Sequence, residues 1–200
     1  MANSSLMRNR FRSFLPVVVD IETAGVNPET DAVLEIAIVL LDMDEEGHVQ
    51  KGESYFEHIL PFKGANLSPE SLKFNKIEPY HPFRFAIEEK LALSQLFSPI
   101  KKALQKYRCS RAVLVGHNAW FDLLFLKQAI KRSKITSPFH AFTSFDTATL
   151  AATFYGQTVL AKAMEKAGIT FDAELAHSAL YDAEKTAELY CTMLNHSPQF

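Results

Sequence analysis

Two carboxylates that follow an apolar strand pattern are the first residues in this chain that could do chemistry. The stretch VVVDIETAG, residues 17–25, puts Asp20 and Glu22 directly after a run of valines. Successive side chains of a strand point to opposite faces, so both acids project into one small volume. Their charges repel, and removing them unpaired from water costs several kcal/mol. The pattern therefore predicts a bound divalent cation.

Two further acids lie on the apolar faces of predicted helices. Asp122, in HNAWFDLLFL, shares its face with Phe125, and Asp182, in AHSALYDAEKTAEL, lines up with Ala179. Acidic side chains are almost never buried unless they are paired. One such acid taken alone is more often a cap or a salt-bridge partner. Inward acids from three separate elements fit a metal site better than unrelated salt bridges.

Four carboxylates together could balance the charge of two Mg²⁺ ions, with Mn²⁺ as a substitute. Carboxylate oxygens are the ligands that these hard cations prefer, and substrate phosphate oxygens complete their coordination. Two such ions about 4 Å apart can activate a water and stabilise the leaving oxygen of a phosphodiester. The acids therefore predict phosphoester hydrolysis.

His177 lies five residues before Asp182 and is the candidate general base. An imidazole titrates near neutrality, which suits removal of a proton from an attacking water. The alternative is a histidine that hydrogen-bonds to backbone at the start of a helix. His117 is the competing candidate, but it ends a buried strand and is expected to orient the following loop.

A mixed sheet with helices is the scaffold that the remaining pattern predicts. Runs rich in Val and Ile predict an antiparallel meander of three strands over FLPVVVDI, AVLEIAIVLLDM and ESYFEHILPF, and two later strands over RAVLVG and AFTSFDT. Helical spacing extends from Arg84 to Tyr107, where Pro99 should kink or split the helix. Strands followed by helices that alternate with short strands are typical of an α/β domain.

Composition predicts one globular domain over residues 1–200, with residues 1–9 as a flexible tail. The chain is 48% hydrophobic, enough for a large core, and its net charge of −2 excludes a surface that is basic throughout. Cys109 and Cys191 are expected to be core thiols in a reducing compartment. No stretch approaches the roughly 18 apolar residues of a membrane span. We therefore expect a cytoplasmic protein.

Three motifs of the chain resemble those of the DEDDh exonuclease family. They are DIE at 20–22, HNAWFD ending at Asp122, and HSALYD at 177–182, in the order and spacing of that family. The resemblance implies a ribonuclease-H-like α/β fold with a mixed five-stranded sheet flanked by helices. It also implies removal of nucleotides from 3′ ends with two metals. The metal ligands would be Asp20, Glu22, Asp122 and Asp182, and His177 would be the general base.

Further segments narrow the resemblance to an RNA-trimming branch of that family. GANLSPESLKFNKI, FDTATLA and GQTVLAKA extend the match from Arg10 to Leu194. This branch implies a homodimer that trims the 3′ ends of tRNA and other stable RNAs, releases nucleoside 5′-monophosphates, and degrades single-stranded DNA. The alternatives are a DNA 3′–5′ exonuclease and a non-catalytic RNA-binding module on the same fold. The complete set of four acids and a histidine argues against the second.

The same resemblance assigns residues to nucleic-acid binding. Phe74, Phe121 and Phe142 would stack on terminal bases, Glu70 would make a polar contact beside them, and Arg10, Arg12 and Arg111 would form a basic patch that serves the partner subunit's active site. Taken alone, a phenylalanine is more often a core residue and a basic cluster more often a solvated face. Val26 stands where the family has phenylalanine, which predicts weaker stacking at one face of the last base.

Overall fold

A five-stranded mixed sheet lies at the centre of the protein. The computed structural model describes residues 2–196, and their side chains from Leu6 onward. The strands are β1 (Phe14–Thr23), β2 (Val33–Met43), β3 (Val49–His58), β4 (Arg111–Gly116) and β5 (Phe139–Asp146), in the order β3-β2-β1-β4-β5. β2 runs antiparallel to β1 and β3, and β4 runs parallel to β1 and β5. The predicted meander and mixed five-stranded sheet are confirmed.

Helices cover the sheet. They are α1 (Ala2–Arg10), α2 (Pro69–Asn75), α3 (Glu89–Lys106), α4 (Ala119–Ser133), α5 (Thr147–Tyr155), α6 (Leu160–Lys166) and α7 (Ala179–His196), with a short 3-10 turn at Pro82–Arg84. α7 packs across the meander, and α3 and α4 pack together against the sheet. No helix within residues 2–196 is long and apolar enough to cross a bilayer.

The register of β1 determines where the acid-bearing end of that strand points. Residues 15–19 are all buried, as in a strand covered on both faces. β1 pairs with β4 only as far as Val18, whereas it pairs with β2 as far as Thr23. Beyond Val18 the strand therefore has a neighbour on one side only. Its other side faces the start of α4, which follows β4.

The N-terminal segment is helical, where the sequence had predicted a flexible tail over residues 1–9. Met7 of α1 is fully buried in the main core. The Arg10 guanidinium donates hydrogen bonds to the carbonyl oxygens of Gly47, at 2.9 Å, and Leu194, at 2.7 Å. These contacts hold α1 against its own chain. Met1 and residues 197–200 of the predicted domain lie outside the described residues.

The long helix predicted from Arg84 begins later, at Glu89, and Pro99 does not split it. Arg84 belongs to the 3-10 turn, which ends because Phe85 adopts a left-handed backbone conformation with φ of 50°. The buried face of α3, which includes Leu96 and Ile100, packs into the core on both sides of the proline. Tertiary packing therefore maintains the helix despite the lost backbone donor.

Candidate active site and metal centre

Asp20 and Glu22 lie near the end of β1 and share one face, as predicted. Ile21, between them, points to the opposite face and is only 5% exposed. The Asn75 side chain donates a 3.0 Å hydrogen bond to the carbonyl oxygen of Thr23 and also hydrogen-bonds to the Glu22 carboxylate. The end of α2 is thereby attached to the acid-bearing end of the strand.

The other two acids come from the first turns of helices. Asp122, in α4, is buried, and the backbone N–H of Ile21 donates to its carboxylate. Asp182, in α7, is half-buried, and its Oδ2 accepts a 2.9 Å hydrogen bond from the backbone N–H of His177. A helix N-terminus favours negative charge, so both helices present a stabilised carboxylate to the cluster.

Crowding of these carboxylates perturbs their protonation. Burial raises the pKa of Asp20 well above its ordinary value, and repulsion from Asp122 and Glu22 raises it further. Burial also raises the pKa of Glu22 to about 8, with added repulsion from Asp182 and Glu35. Burial raises the pKa of Asp122 and of Asp182, although backbone donors oppose this. The ionised cluster therefore needs a cation beside it.

The donor atoms of the cluster fit a divalent metal. Ligand atoms of Glu22, His177 and Asp182 lie within 4.8 Å of one another. Oδ1 of Asp182 is buried and has no hydrogen-bond partner among residues 2–196. A buried carboxylate oxygen is normally satisfied, so its free lone pairs indicate a ligand position. Carboxylate oxygens from several elements are the donor set of a hard cation such as Mg²⁺ or Mn²⁺.

His177 lies at the solvent side of the cluster. Its backbone is left-handed, with φ of 66°, and its side chain is exposed. Its ring packs on the Phe74 ring with the centroids 4.2 Å apart. The backbone N–H bond to Asp182 fixes the position of the residue. The geometry therefore brings the candidate base to the acid cluster.

His117, the competing candidate for the base, was expected to orient the loop that follows β4. Its Nε2 donates a 2.8 Å hydrogen bond to the carbonyl oxygen of Thr158, and its Nδ1 lies 3.0 Å from Oγ1 of Thr147. Both ring nitrogens are thus engaged within the protein. Burial lowers the pKa of the ring, which favours the neutral form. These contacts connect the loop after β4 to the first residue of α5 and to the segment before α6.

Comparison with known proteins identifies the family. The family model for exonucleases, RNase_T, matches residues 17–190. A relative named Ribonuclease T from Marinobacter nauticus is 56% identical over 190 residues, a match that covers 94% of this chain and 86% of the relative. The chain belongs to the ribonuclease T family. Membership of this exonuclease family makes it a 3′–5′ exoribonuclease, a hydrolase of phosphodiester bonds.

Solved structures confirm the fold of this ribonuclease T family member. The nuclease domain of 3′hExo, described as a DEDDh family member bound to rAMP, superposes with a TM-score of 0.67 at 19% identity, covering 90% of this chain and 91% of that one. E. coli Exonuclease I in complex with a dT13 oligonucleotide gives a TM-score of 0.67 at 18% identity. That match covers 89% of this chain but only 40% of Exonuclease I.

Glu35 lies beside the acid cluster of this ribonuclease T family member, and sequence reasoning missed it. It lies in β2 directly opposite Glu22 and is 6% exposed. Its Oε2 accepts a 3.3 Å hydrogen bond from the backbone N–H of Ala179, and its Oε1 lies 3.0 Å from Nδ1 of His58. The signal in the sequence was a single acid inside the apolar run AVLEIAIVLL.

Asp146 is a second residue near the site that the sequence did not single out. Its Oδ1 accepts hydrogen bonds from the backbone N–H groups of Asn118, at 2.8 Å, and Ala119, at 3.3 Å. The same carboxylate caps α5 by accepting from the Ala148 N–H. One side chain therefore caps two helices, and one of them carries Asp122.

The predicted base-stacking residues occupy different surroundings. Phe74 is 64% exposed and packs on His177, and Phe121 is half-buried beside Asp122, with its ring 4.8 Å from that of Phe125. Phe142 lies in β5, where its 78% exposed ring packs edge-on against His140. Phe74 and Phe121 thus lie next to His177 and Asp122, respectively. Phe142 lies on β5, which β4 separates from β1.

Glu70 and Val26, also singled out from the sequence, lie in α2 and just after β1. Glu70 lies in the first turn of α2, where the Ser68 hydroxyl donates a 2.8 Å hydrogen bond to it and lowers the pKa of its carboxyl. Val26 is 81% exposed in the loop after β1. Trp120, which sequence reasoning had not selected, is 61% exposed and packs edge-on against Phe121.

The predicted basic patch lies at the other end of β1. Arg12 and Arg111 are exposed, and Arg111 pairs with Phe14 at the beginning of the strand. Glu22 lies eight residues further along, a distance of about 26 Å at the usual strand rise. Arg10 is half-buried and bonded to the carbonyls described above. The two exposed arginines are therefore remote from the acid cluster.

Proposed function

We propose that this exoribonuclease trims the 3′ ends of tRNA and other stable RNAs, releases nucleoside 5′-monophosphates, and also degrades single-stranded DNA. The observation that carries the proposal is the convergence of His177 with carboxylates from three elements at the end of β1. The similarity to Ribonuclease T of Marinobacter nauticus, which extends over nearly the whole chain, supports RNA as the substrate. We further propose one exonuclease domain over residues 1–200.

The acid set is proposed to hold two divalent metal ions, Mg²⁺ or Mn²⁺. The ligands would be Asp20, Glu22, Asp122 and Asp182. When bound, the ions would neutralise the charge on the reacting phosphodiester and lower the pKa of an attacking water. The free Oδ1 of Asp182 and the raised carboxyl pKa values support this assignment. The rigid β1 and the two helix starts keep the ligands in place before substrate arrives.

His177 is proposed to act as the general base. Its exposed imidazole accepts the proton of the attacking water at a ring nitrogen, and it later releases that proton to solvent. The backbone N–H bond to Asp182 and the contact with the Phe74 ring limit the orientations of the side chain. A side chain held in this way reaches a water beside the acids without losing its own access to solvent.

The 3′ end of the substrate is proposed to lie across aromatic rings at and near the acid cluster. Phe74, Phe121 and Phe142 offer faces on which unpaired bases can stack with little sequence preference, and Glu70 offers a polar contact. Val26 has no ring, so one face of the last base gains less stacking. This difference predicts a terminal-base preference distinct from that of relatives with an aromatic residue there.

We propose a homodimer in which the basic patch of one subunit lies next to the active site of the other. Arg12 and Arg111 lie too far from their own acid cluster to contact the same short 3′ end. In a dimer they would bind RNA that enters the partner's active site, and Arg10 would support the patch by anchoring α1. A cytoplasmic location is also proposed, since Cys109 and Cys191 are free thiols.

The direct test incubates the purified protein with 5′-labelled RNAs, with and without Mg²⁺. The substrates are a tRNA with extra 3′ nucleotides, the mature tRNA and a single-stranded DNA that matches the extension. Stepwise shortening of the extended tRNA only in the presence of Mg²⁺ is expected. Faster degradation of the DNA would favour a DNA exonuclease. RNA binding without shortening would favour a non-catalytic module.

A further inference from the structure

Three aromatic rings protrude from one loop outside the residues assigned so far. The aromatic loop, defined as residues 79–85, follows α2 and reads PYHPFRF. Tyr80 is 68% exposed, Phe83 is 79% exposed and Phe85 is 80% exposed. Large apolar groups exposed together are typical of interaction sites, whereas single exposed hydrophobic residues are common everywhere. The three exposed rings together therefore indicate an interaction site.

The backbone of the aromatic loop is well anchored. The Arg84 guanidinium turns inward and donates to the carbonyl oxygens of Pro79, at 2.7 Å, and Leu34, at 2.8 Å. Just after the loop, the Ile87 N–H donates to the carbonyl oxygen of His58 at 3.0 Å. These bonds attach the loop to β2 and to the end of β3. The rings are therefore held outward in advance, so binding would cost little ordering entropy.

The loop adjoins the active site. Leu34, which anchors it, directly precedes Glu35 in β2, and Glu35 lies opposite Glu22. On its other side, a groove of about 620 Å³ separates the loop from α2, the helix that carries Phe74. Lys73 lines this groove together with Tyr80. The aromatic surface that begins where Phe74 contacts His177 thus continues along the loop.

Basic side chains near the aromatic loop favour binding of a polyanion. Residues 72–87 contain three basic side chains, Lys73, Lys76 and Arg84, and a single acidic one, Glu78. Glu70, Glu88 and Glu89 flank this segment, so the positive charge is local to the lysines near the rings. Both lysines are exposed, whereas the arginine is used internally. Exposed lysines beside exposed rings form the combination that binds single-stranded nucleic acid.

We propose that the aromatic loop stacks on unpaired nucleotides upstream of the 3′ end that occupies the active site. The inference rests on the proposed function, because a nucleic-acid substrate must first enter beside Phe74. Tyr80, Phe83 and Phe85 supply the faces for the bases, and Lys73 and Lys76 pair with the phosphates. The loop thereby increases the number of nucleotides of a single strand that the protein binds, without adding a sequence preference.

The test compares a short oligoribonucleotide that reaches only the active site with one of about 12 nucleotides, which also spans the loop. Binding is measured by fluorescence anisotropy in EDTA, and hydrolysis is measured in Mg²⁺. The variant Tyr80→Ser/Phe83→Ser/Phe85→Ser is expected to lower affinity for the long oligonucleotide at least about tenfold more than for the short one. Phe154→Ser, which removes a 41% exposed ring on α5, is expected to change neither.

Equal effects of the triple substitution on both oligonucleotides would overturn the proposal. So would a fall in oligomeric state, measured by analytical ultracentrifugation, with intact binding of the long oligonucleotide, since the rings would then contact a second copy of the chain. If the triple variant fails to fold, Phe83→Ser alone is expected to give a smaller loss with the same length dependence. Absence of hydrolysis by the wild type, with the length-dependent binding loss retained, would reject the proposed function but not the loop.

Discussion

The backbone N–H of Ala179 donates a hydrogen bond to Oε2 of Glu35, so the first residue of α7 is attached to the central sheet. The same carboxylate lies 3.0 Å from His58 Nδ1 and directly opposite Glu22 in the register of β1 and β2. Because α7 carries Asp182, this bond sets the distance between the strand acids and the helix acid. This buried acid thus helps to position Asp182, the acid that α7 carries.

Glu35→Ala is expected to lower kcat about tenfold or more, with a smaller change in KM. The loss follows because the Ala179 N–H is left without its acceptor, which costs about 1–3 kcal/mol of stability and frees the start of α7. Glu35→Gln keeps an amide oxygen for that N–H and should restore most of kcat. Steady-state hydrolysis of a short RNA and urea unfolding measure both effects. A Gln variant as impaired as the Ala variant would contradict a positioning role.

Asp20→Asn is expected to abolish cleavage and, in EDTA, to stabilise the fold. Removing one charge from a cluster in which burial and repulsion raise each pKa should increase the free energy of unfolding by about 1–3 kcal/mol. The rise in Tm that Mg²⁺ gives the wild type should shrink or disappear. Thermal unfolding with EDTA and with Mg²⁺ measures both changes. Surviving cleavage would refute the metal assignment.

The metal-free protein is expected to lose stability as pH rises toward 8. The folded pKa of Glu22 is about 8, above its ordinary value of 4.5, so the folded state binds the proton more tightly. Its contribution is complete below about 4.5 and is lost as pH rises through about 8, a loss on the order of a few kcal/mol. Urea unfolding in EDTA across this range measures it. Glu22→Gln should flatten the profile, and a wild-type profile that rises with pH would contradict the assignment.

Gly116→Ala is expected to reduce kcat about tenfold with a modest loss of stability. A Cβ at Gly116 would lie 3.1 Å from Oδ2 of Asp122 and 3.1 Å from Cα of Ala119, so the start of α4 must move by a few tenths of an ångström. Gly156→Ala is the control, since apart from its two chain neighbours its Cβ would meet no heavy atom of the described residues within 4 Å, while its φ of 64° is strained. That variant should lose about 1 kcal/mol of stability and no activity.

The dimer proposal predicts complementation between subunits. Arg12→Ala/Arg111→Ala should lower RNA affinity about tenfold and reduce the slope of log affinity against log salt by about 2. Mixing that variant with Asp20→Asn should restore part of the hydrolysis, because one hybrid active site would combine intact acids with the partner's intact patch. No recovery after subunit exchange, or full RNA affinity in the monomer on dilution, would refute the proposal.

The convergence of the four acids could be predicted because residue type and periodicity were both unusual at the same positions. Asp20 and Glu22 interrupt a buried strand pattern, and Asp122 and Asp182 occupy apolar helix faces. Such conflicts between local pattern and residue type mark functional positions in many proteins. The mixed sheet followed from the order of strand and helix patterns alone.

Contacts between distant segments could not be predicted in the same way. Glu35 and Asp146 act through backbone N–H groups that are 144 and 28 residues away in the chain, and no local pattern marks such partners. The N-terminal segment is mostly polar, so its pattern resembled a tail. Its helix is held by Met7 in the core and by Arg10 on two distant carbonyls.

The parallel pairing of β1 with β4 ends at Val18. The two halves of β1 therefore differ in their tolerance to substitution. Up to that residue the strand has neighbours on both sides and acts as scaffold, so apolar residues of similar volume can replace one another. After it, the Ile21 N–H serves Asp122 instead of a neighbouring strand. A designer who transplants this site therefore has to move the end of β1 and the first turn of α4 as one unit, since neither half of that junction is complete alone.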